Sequence, residues 1–310
     1  MMSTLWLKNR QLIFQLIGTV LAIALLIFLL KEDGWDEISA AMQKIKLIDL
    51  FWVAVLFSIS RIAIVWRWHA LLRSGGIDMR FKDSAALTFM GLFATNFLPT
   101  TIGGDVVRLA GAMQMGFDRA VCLASIAADR LIGMLGMAMT TPIGLVQAWG
   151  ILKTGTAALS ILTFTQKSID FIKRTLSIFS IWIKKPISVL VSLAFSGIHM
   201  LCVFSSIYIF ITGLGSHVSF WMIAGLWSLT YFITLIPISI NGYGLQELSF
   251  TFLMSHIAGL TPAVSLTVAV LLRAYFLLSS LPGAAFLPSI LSSIATQTKQ
   301  SAASSGTLSE

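Results

Sequence analysis

Seven charged residues stand inside apolar stretches: Arg61, Asp105, Arg108, Asp129, Arg130, Glu247 and Arg273. A charge at the centre of a membrane helix costs at least about 2.5–3.5 kcal/mol on insertion scales, so the set cannot all face lipid. Four arginines against three carboxylates leave one positive charge over, which suits an anionic guest. Arginine meets phosphate with a planar, two-pronged fork. Arg108, Arg130 and Arg273 are therefore expected to line a phosphate-sized substrate site, with Asp105, Asp129 and Glu247 orienting them or binding a cationic headgroup. For Asp129 and Arg130 taken singly, a structural ion pair between helices explains the residues equally well. Asn96 and Asn241 join the substrate-binding candidates, with capping of loose backbone groups as the equal alternative. Arg61 has the alternative of snorkelling toward the cytoplasmic face.

Most of these residues flank two interrupted segments, about 84–116 and 220–256. The first is broken by Pro99, Gly103 and Gly104, and the second by Pro237, Gly242 and Gly244. The elements Leu98-Pro99-x3-Gly103-Gly104-Asp105-x2-Arg108 and Ile236-Pro237-x3-Asn241-Gly242-x-Gly244-x2-Glu247 resemble one another. Their prolines lie 237 − 99 = 138 residues apart, and Gly104 and Gly242 keep that offset. A span with an embedded arginine follows each, Arg130 in one and Arg273 in the other. Broken helices leave backbone groups open at membrane depth, which is tolerated only where they line a cavity or find a partner. Paired breaks in two halves of a chain point to a transporter binding site. Packing kinks in ordinary spans are the plainer alternative.

These segments need a membrane scaffold. Of 310 residues 57% are hydrophobic and 11% charged, against about 25% charged in soluble domains. At about 20 apolar residues per spanning helix, spans are expected at about 11–30, 48–72, 120–148, 151–164, 187–211 and 262–287. The expected fold is all-α: one polytopic membrane helix bundle over 1–290, built from two pseudo-symmetric inverted repeats that each contain a re-entrant hairpin. Lys167, Lys173, Arg174, Lys184 and Lys185 lie among apolar residues, so 167–185 reads as an amphipathic surface helix resting on anionic lipid. The Ser/Ala/Thr-rich stretch 291–310 reads as a disordered tail.

The net charge of +8 comes from Lys and Arg in short gaps between apolar runs, not on a soluble face, which excludes nucleic acid as a partner. With both termini cytoplasmic, the inner side carries Lys8, Arg10, Arg67, Arg73, Arg80, Lys82, the five cations of 167–185 and Lys299. The outer side carries Lys31, Lys44, Lys46 and Lys153. Twelve against four satisfies the positive-inside rule. Cys122 and Cys202 have no metal or redox spacing, and the four histidines have no ligand spacing. No metal, no cofactor and no nucleophile–base arrangement is evident, so the chain is not expected to be an enzyme.

Three stretches carry a family resemblance: Asn96-Phe-Leu-Pro99-x3-Gly103-Gly104-Asp105-x2-Arg108, Asp129-Arg130-Leu-Ile-Gly133, and Pro237-x4-Gly242-x-Gly244-x2-Glu247. Together they resemble the transmembrane region of lysylphosphatidylglycerol synthases, a flippase-like family with stand-alone members, over about residues 10–290. The resemblance implies a bacterial-type inner-membrane protein that moves a phosphate-bearing lipid between leaflets. An aminoacyl-phospholipid, a phospholipid and a polyprenyl-phosphate-linked lipid all remain open. The chain ends soon after its last span, so the separate synthase domain of the bifunctional relatives is not expected. A membrane transferase acting on a lipid phosphate, or an accessory subunit of an envelope pathway, are the alternatives.

Overall fold

The computed structural model describes residues 42–97, 103–152, 185–236 and 239–286, and every regular element among them is helical. The expected span at 11–30, residues 153–164 of the short span and the tail at 291–310 fall outside the described residues. So do Pro99, Pro237 and all of the surface segment except Lys185. The helices are α1 (Leu47–Ser74), α2 (Phe81–Phe97), α3 (Gly103–Gln114), α4 (Arg119–Leu152), α5 (Pro186–Gly213), α6 (Phe220–Thr234), α7 (Leu245–His256) and α8 (Pro262–Leu278). A 3-10 turn, Ile240–Gly242, precedes α7, and another, Leu281–Ala285, follows α8.

Their ends follow from local chemistry. Pro186 and Pro262 open α5 and α8, where a missing N–H costs nothing. The Thr261 hydroxyl caps α8 by accepting from the Val264 amide at 3.3 Å. Asn241, Gly242 and Gly244 all have positive φ, so the break before α7 uses the residues that tolerate a left-handed backbone.

Four helices are long and apolar enough to cross a membrane: α1, Arg119–Trp149 of α4, α5, and Pro262–Ala285, which is α8 with its trailing turn. The other four are shorter, at 17, 12, 15 and 12 residues for α2, α3, α6 and α7. At about 1.5 Å per residue none of these reaches the ~30 Å of a hydrocarbon core. The outer surface is apolar in the manner of a lipid-facing one: Val146, Ile187 and Met139 are each more than 70% exposed. The chain is therefore a multi-pass helical membrane protein.

Helices α1 and α5 form the central pair, 28 residues each. They run antiparallel along their whole length. Lys185 donates to the Ser74 carbonyl at one end, Ser192 to the Arg67 carbonyl, Ser60 meets His199 near the middle, and Gly213 lies against Asp49 at the other end. One core cluster joins Trp68 and Leu72 of α1 to Leu87 and Met90 of α2, Ala112 of α3 and Ile126 of α4. A larger one joins Phe57 of α1 to Phe204, Ile207 and Phe210 of α5, Trp227 of α6, Phe250 of α7 and Leu272 of α8.

Lipid supplies no hydrophobic drive between membrane helices, so small residues set the close crossings. Helix α4 crosses α6 where Gly144 meets Gly225; a Cβ on Gly144 would lie 2.3 Å from the Gly225 carbonyl oxygen. In the same way α2 and α3 touch at Gly91 and Gly104, and Gly283 touches the Phe89 carbonyl. Gly144→Val should therefore cost about 1–3 kcal/mol or more by overpacking. Gly197→Ala on α5, where a Cβ meets nothing within 4 Å, should be neutral or gain up to about 1 kcal/mol of helix propensity. Thermal unfolding of the detergent-solubilised variants checks both, and equal melting temperatures for the two would contradict the crossing.

Candidate functional site

Asp129 sits at the eleventh residue of α4 and is 2% exposed. Such a carboxylate survives burial only if its oxygens are engaged by positive donors. Its Oδ1 accepts from Arg67 Nε at 2.7 Å, and its Oδ2 accepts from both Nη1 and Nη2 of Arg108 at 3.1 Å. Arg108 also reaches Asp105 Oδ1 at 3.5 Å and lies 4.1 Å above the Trp68 ring. Arg130 Nε donates to Asp105 Oδ2. Five charges thus form one chain, Arg67–Asp129–Arg108–Asp105–Arg130. It grades from Asp129, with a 3% exposed side chain, to Arg130, with a 45% exposed one.

This chain lines a cavity of about 250 Å³ bounded by α1 to α6. Thr88, Thr95, Ser196, His199 and Tyr231 contribute polar walls. Two buried atoms of the lining make no hydrogen bond, Arg108 Nε and Ser196 Oγ. Local packing makes room for the charges. A Cβ on Gly133 would come 3.2 Å from Arg67 Nη1, so the glycine of Asp129-Arg130-Leu-Ile-Gly133 leaves space for a guanidinium. A Cβ on Gly91 would come 2.8 Å from the stem of Arg108. Asp105 lies in the first turn of α3, where the helix dipole favours a negative group.

The structure brings Asp105, Arg108, Asp129 and Arg130 together and sets Arg273 and Glu247 elsewhere. The expected three-arginine site of Arg108, Arg130 and Arg273 is corrected: the third arginine of the cavity is Arg67. Sequence reasoning placed Arg67 among the loop cations, yet it is buried on α1. Its helical position held the signal, since Ser60, Ile64, Arg67, Trp68 and Leu71 share one inward stripe. Removing it from the loop count leaves eleven inner cations against four. His199 and Ser196 were also missed; neither has a sequence signal beyond sitting on an inward helical face.

Arg273 forms a second cluster. Its Nε donates to Glu247 Oε1 at 2.5 Å, its Nη2 donates to the Gly242 carbonyl and Gln246 Oε1, and its guanidinium lies 4.6 Å from the Tyr243 ring. Glu247 Oε2 accepts the Gly244 amide at 2.8 Å, so the pair fastens the break to α8. Asn96 and Asn241 meet each other, Nδ2 of Asn241 donating to Oδ1 of Asn96 at 3.3 Å. Asn96 also donates to Ser280 Oγ, and the Tyr243 hydroxyl donates to its carbonyl. These bonds join the ends of the two broken segments. Arg61 does not snorkel; it is 5% exposed, donates to Ser279 Oγ at 2.8 Å and lies between the Phe57 and Phe276 rings. Gly103 and Gly104 lie within α3, whereas Gly242 and Gly244 lie before α7, so their equal spacing does not mark equal places. Among the described residues no group of three His, Cys, Asp or Glu could hold a metal ion. Cys122 and Cys202 are buried free thiols.

A buried arginine–aspartate cavity among four spanning helices defines the class, a helical membrane protein with a polar interior site. The chain matches the family model described as "Lysylphosphatidylglycerol synthase TM region" over residues 15–283, and it belongs to that family. Comparison with individually curated proteins finds no match.

The geometry makes Asp129 the keystone of the cluster. Asp129→Ala strands Arg67 and Arg108 and should cost about 3–5 kcal/mol. Replacing all three together (Arg67→Met, Arg108→Met, Asp129→Leu) should recover most of that loss, because no unpaired charge remains. Melting temperatures of the single and triple variants check this; a triple variant no more stable than Asp129→Ala would contradict it.

Proposed function

We propose that the protein moves a phosphate-bearing lipid between the leaflets of a bacterial-type inner membrane, with both termini cytoplasmic. The lipid is drawn from the aminoacyl-phospholipid, phospholipid and polyprenyl-phosphate-linked classes. The family is a membrane domain linked to lipid flippase-like function. The observation that carries the proposal is the arginine-lined cavity at membrane depth, walled by helices too short to cross. A headgroup enters the polar cavity while its tails stay in lipid. No catalytic step is required, and the protein acts as a transporter, not an enzyme.

Alternating access in this proposal comes from two inverted repeats rocking against each other. Three observations support the repeats. First, α1 and α5 are equal in length, 186 − 47 and 213 − 74 both giving 139, and they run antiparallel. An antiparallel pair of equivalent helices implies a two-fold axis in the membrane plane. Second, the crossings are reciprocal: α4 packs on α6 through Gly144 and Gly225, as the turn after α8 packs on α2 through Gly283. Third, each repeat holds the same ion pair. Asp105 and Glu247 are the third residues of α3 and α7, and Arg130 and Arg273 are the twelfth of α4 and α8. Asp105 pairs with Arg130, and Glu247 with Arg273. On this basis α2–α3 and α6–α7 are re-entrant hairpins whose tips meet at Asn96 and Asn241. Arg73, Arg80, Lys82 and Lys185, gathered near one end of the α1–α5 pair, support the cytoplasmic assignment of that end.

Headgroup translocation in proteoliposomes with quenchable labelled lipids tests the proposal. Wild type should deplete outer-leaflet label of a phosphate lipid. Arg130→Ala and Glu247→Gln should each slow it at least about tenfold, the loss expected from a charge-assisted hydrogen bond. If folded, correctly inserted protein moves no lipid, a lipid-phosphate transferase or an accessory role moves ahead.

A further inference from the structure

The cavity distinguishes headgroups by charge, and every carboxylate oxygen on its wall is already taken. Asp129 Oδ1 is bound by Arg67 and Oδ2 by Arg108; Asp105 Oδ1 is bound by Arg108 and Oδ2 by Arg130. An ammonium group entering the cavity would find no unengaged carboxylate, and it would meet three guanidinium groups. An anion finds the opposite. Three arginines face two aspartates, so one positive charge is unmatched. Arg108 Nε, on a residue 7% exposed, and Ser196 Oγ, on one 1% exposed, are buried donors of the lining without partners. Buried donors left unpaired cost about 1–3 kcal/mol each, so a ligand that accepts from them is favoured. The volume of about 250 Å³ falls below the ~300–1,000 Å³ of sites that enclose drug-sized ligands, so the guest is a compact group.

We infer that the cavity is selective for a compact phosphate group carrying one negative charge, as in a phosphodiester lipid headgroup, and rejects headgroups of net positive charge. This rests on the lipid-transport proposal for the source of the phosphate, but the charge selectivity stands on the cavity alone. A phosphodiester brings one negative charge and acceptor oxygens only, which matches one unmatched guanidinium charge and two unpaired donors. An aminoacyl ester of such a lipid adds an ammonium and loses that match. A phosphomonoester brings about −1.5 to −2 charges at neutral pH and exceeds it.

The test uses the full-length protein in detergent and in proteoliposomes. Thermal protection is measured with short-chain phosphatidylglycerol, phosphatidic acid, phosphatidylcholine, lysyl-phosphatidylglycerol and inorganic phosphate, and movement is measured with labelled versions of the four lipids. Phosphatidylglycerol should protect best and move fastest, and the lysyl ester should bind at least about tenfold more weakly, the loss of one charge-assisted bond. Asp105→Asn, at the cavity mouth, raises the unmatched charge to two and should shift preference toward phosphatidic acid. Equal or tighter binding of the lysyl ester would overturn the charge selectivity while leaving lipid transport intact. Unchanged preference in folded Asp105→Asn would also overturn it. If no lipid protects or moves but inorganic phosphate protects, and Arg108→Gln or Asp105→Asn alters that protection, the transport proposal fails and the anion site survives. If neither lipid nor phosphate protects, both fail.

Discussion

A guanidinium group buried at membrane depth has to be answered by a carboxylate, and most of the described structure is arranged around that requirement. Neither water nor lipid can neutralise Arg67 or Arg108 where they lie, so Asp129 does, with both oxygens committed. That commitment fixes three helices, because the partners come from α1, α3 and α4. Arg108 can reach Asp129 only if α3 lies tight against α2, and Gly91 and Gly104 allow that approach. Arg67 can reach it only because Gly133 has no side chain. The glycines matter here less for backbone freedom than for the atoms they lack.

Buried ion pairs are weak evidence for stability, because an apolar replacement of similar volume often serves as well or better. The energetic reason for keeping five charges in a row must therefore lie elsewhere. Ordinary helix association in this molecule is managed by other means. Aromatic contacts such as Trp227 against Phe250 and Phe276, and close crossings such as Gly144 on Gly225, hold α4, α6, α7 and α8 without charge. The larger core cluster shows that this chain can bury an interface of the same kind with Phe, Ile and Leu alone.

Much of this was legible in the residues before any coordinates. The apolar runs located α1, α4, α5 and α8, because a spanning helix writes itself as length and hydropathy. The breaks were legible because Gly and Asn mark positions where a helix cannot continue, and Asn241 does adopt the left-handed conformation. Partner choice was not legible. Arg273 carries the same residue type in the same kind of span as Arg130, and only the packing shows that it faces Glu247 and a different set of walls. Arg67 was hidden by its nearness to loop cations, although its register with Ser60 and Trp68 marked it as inward. The matched ion pairs were hidden by unequal breaks, residues 98–102 in one case and 235–244 in the other. A fixed offset of 138 aligns the breaks but slips past the charges that follow them.

The proposed repeat also separates what scaffolding needs from what a site needs. Both halves keep the acid–arginine pair, Asp105 with Arg130 and Glu247 with Arg273, so that pair belongs to the shared architecture. The remaining charges occur on one side only. Counting from the helix starts, the counterpart of Arg108, sixth in α3, is Phe250, sixth in α7. The counterpart of Asp129, eleventh in α4, is Leu272, eleventh in α8. Arg67, twenty-first in α1, corresponds to Ser206, twenty-first in α5. Phe250 and Leu272 are fully packed core residues, so equivalent positions of the fold accept apolar side chains without difficulty. The charges Arg67, Arg108 and Asp129 are thus not demanded by the architecture. They replace a core that the same architecture can build, and they turn one of two equivalent helix junctions into a polar, net-positive cavity. A scaffold of two similar halves with a charged interior in only one is the arrangement expected when the symmetry serves movement and the asymmetry serves the ligand.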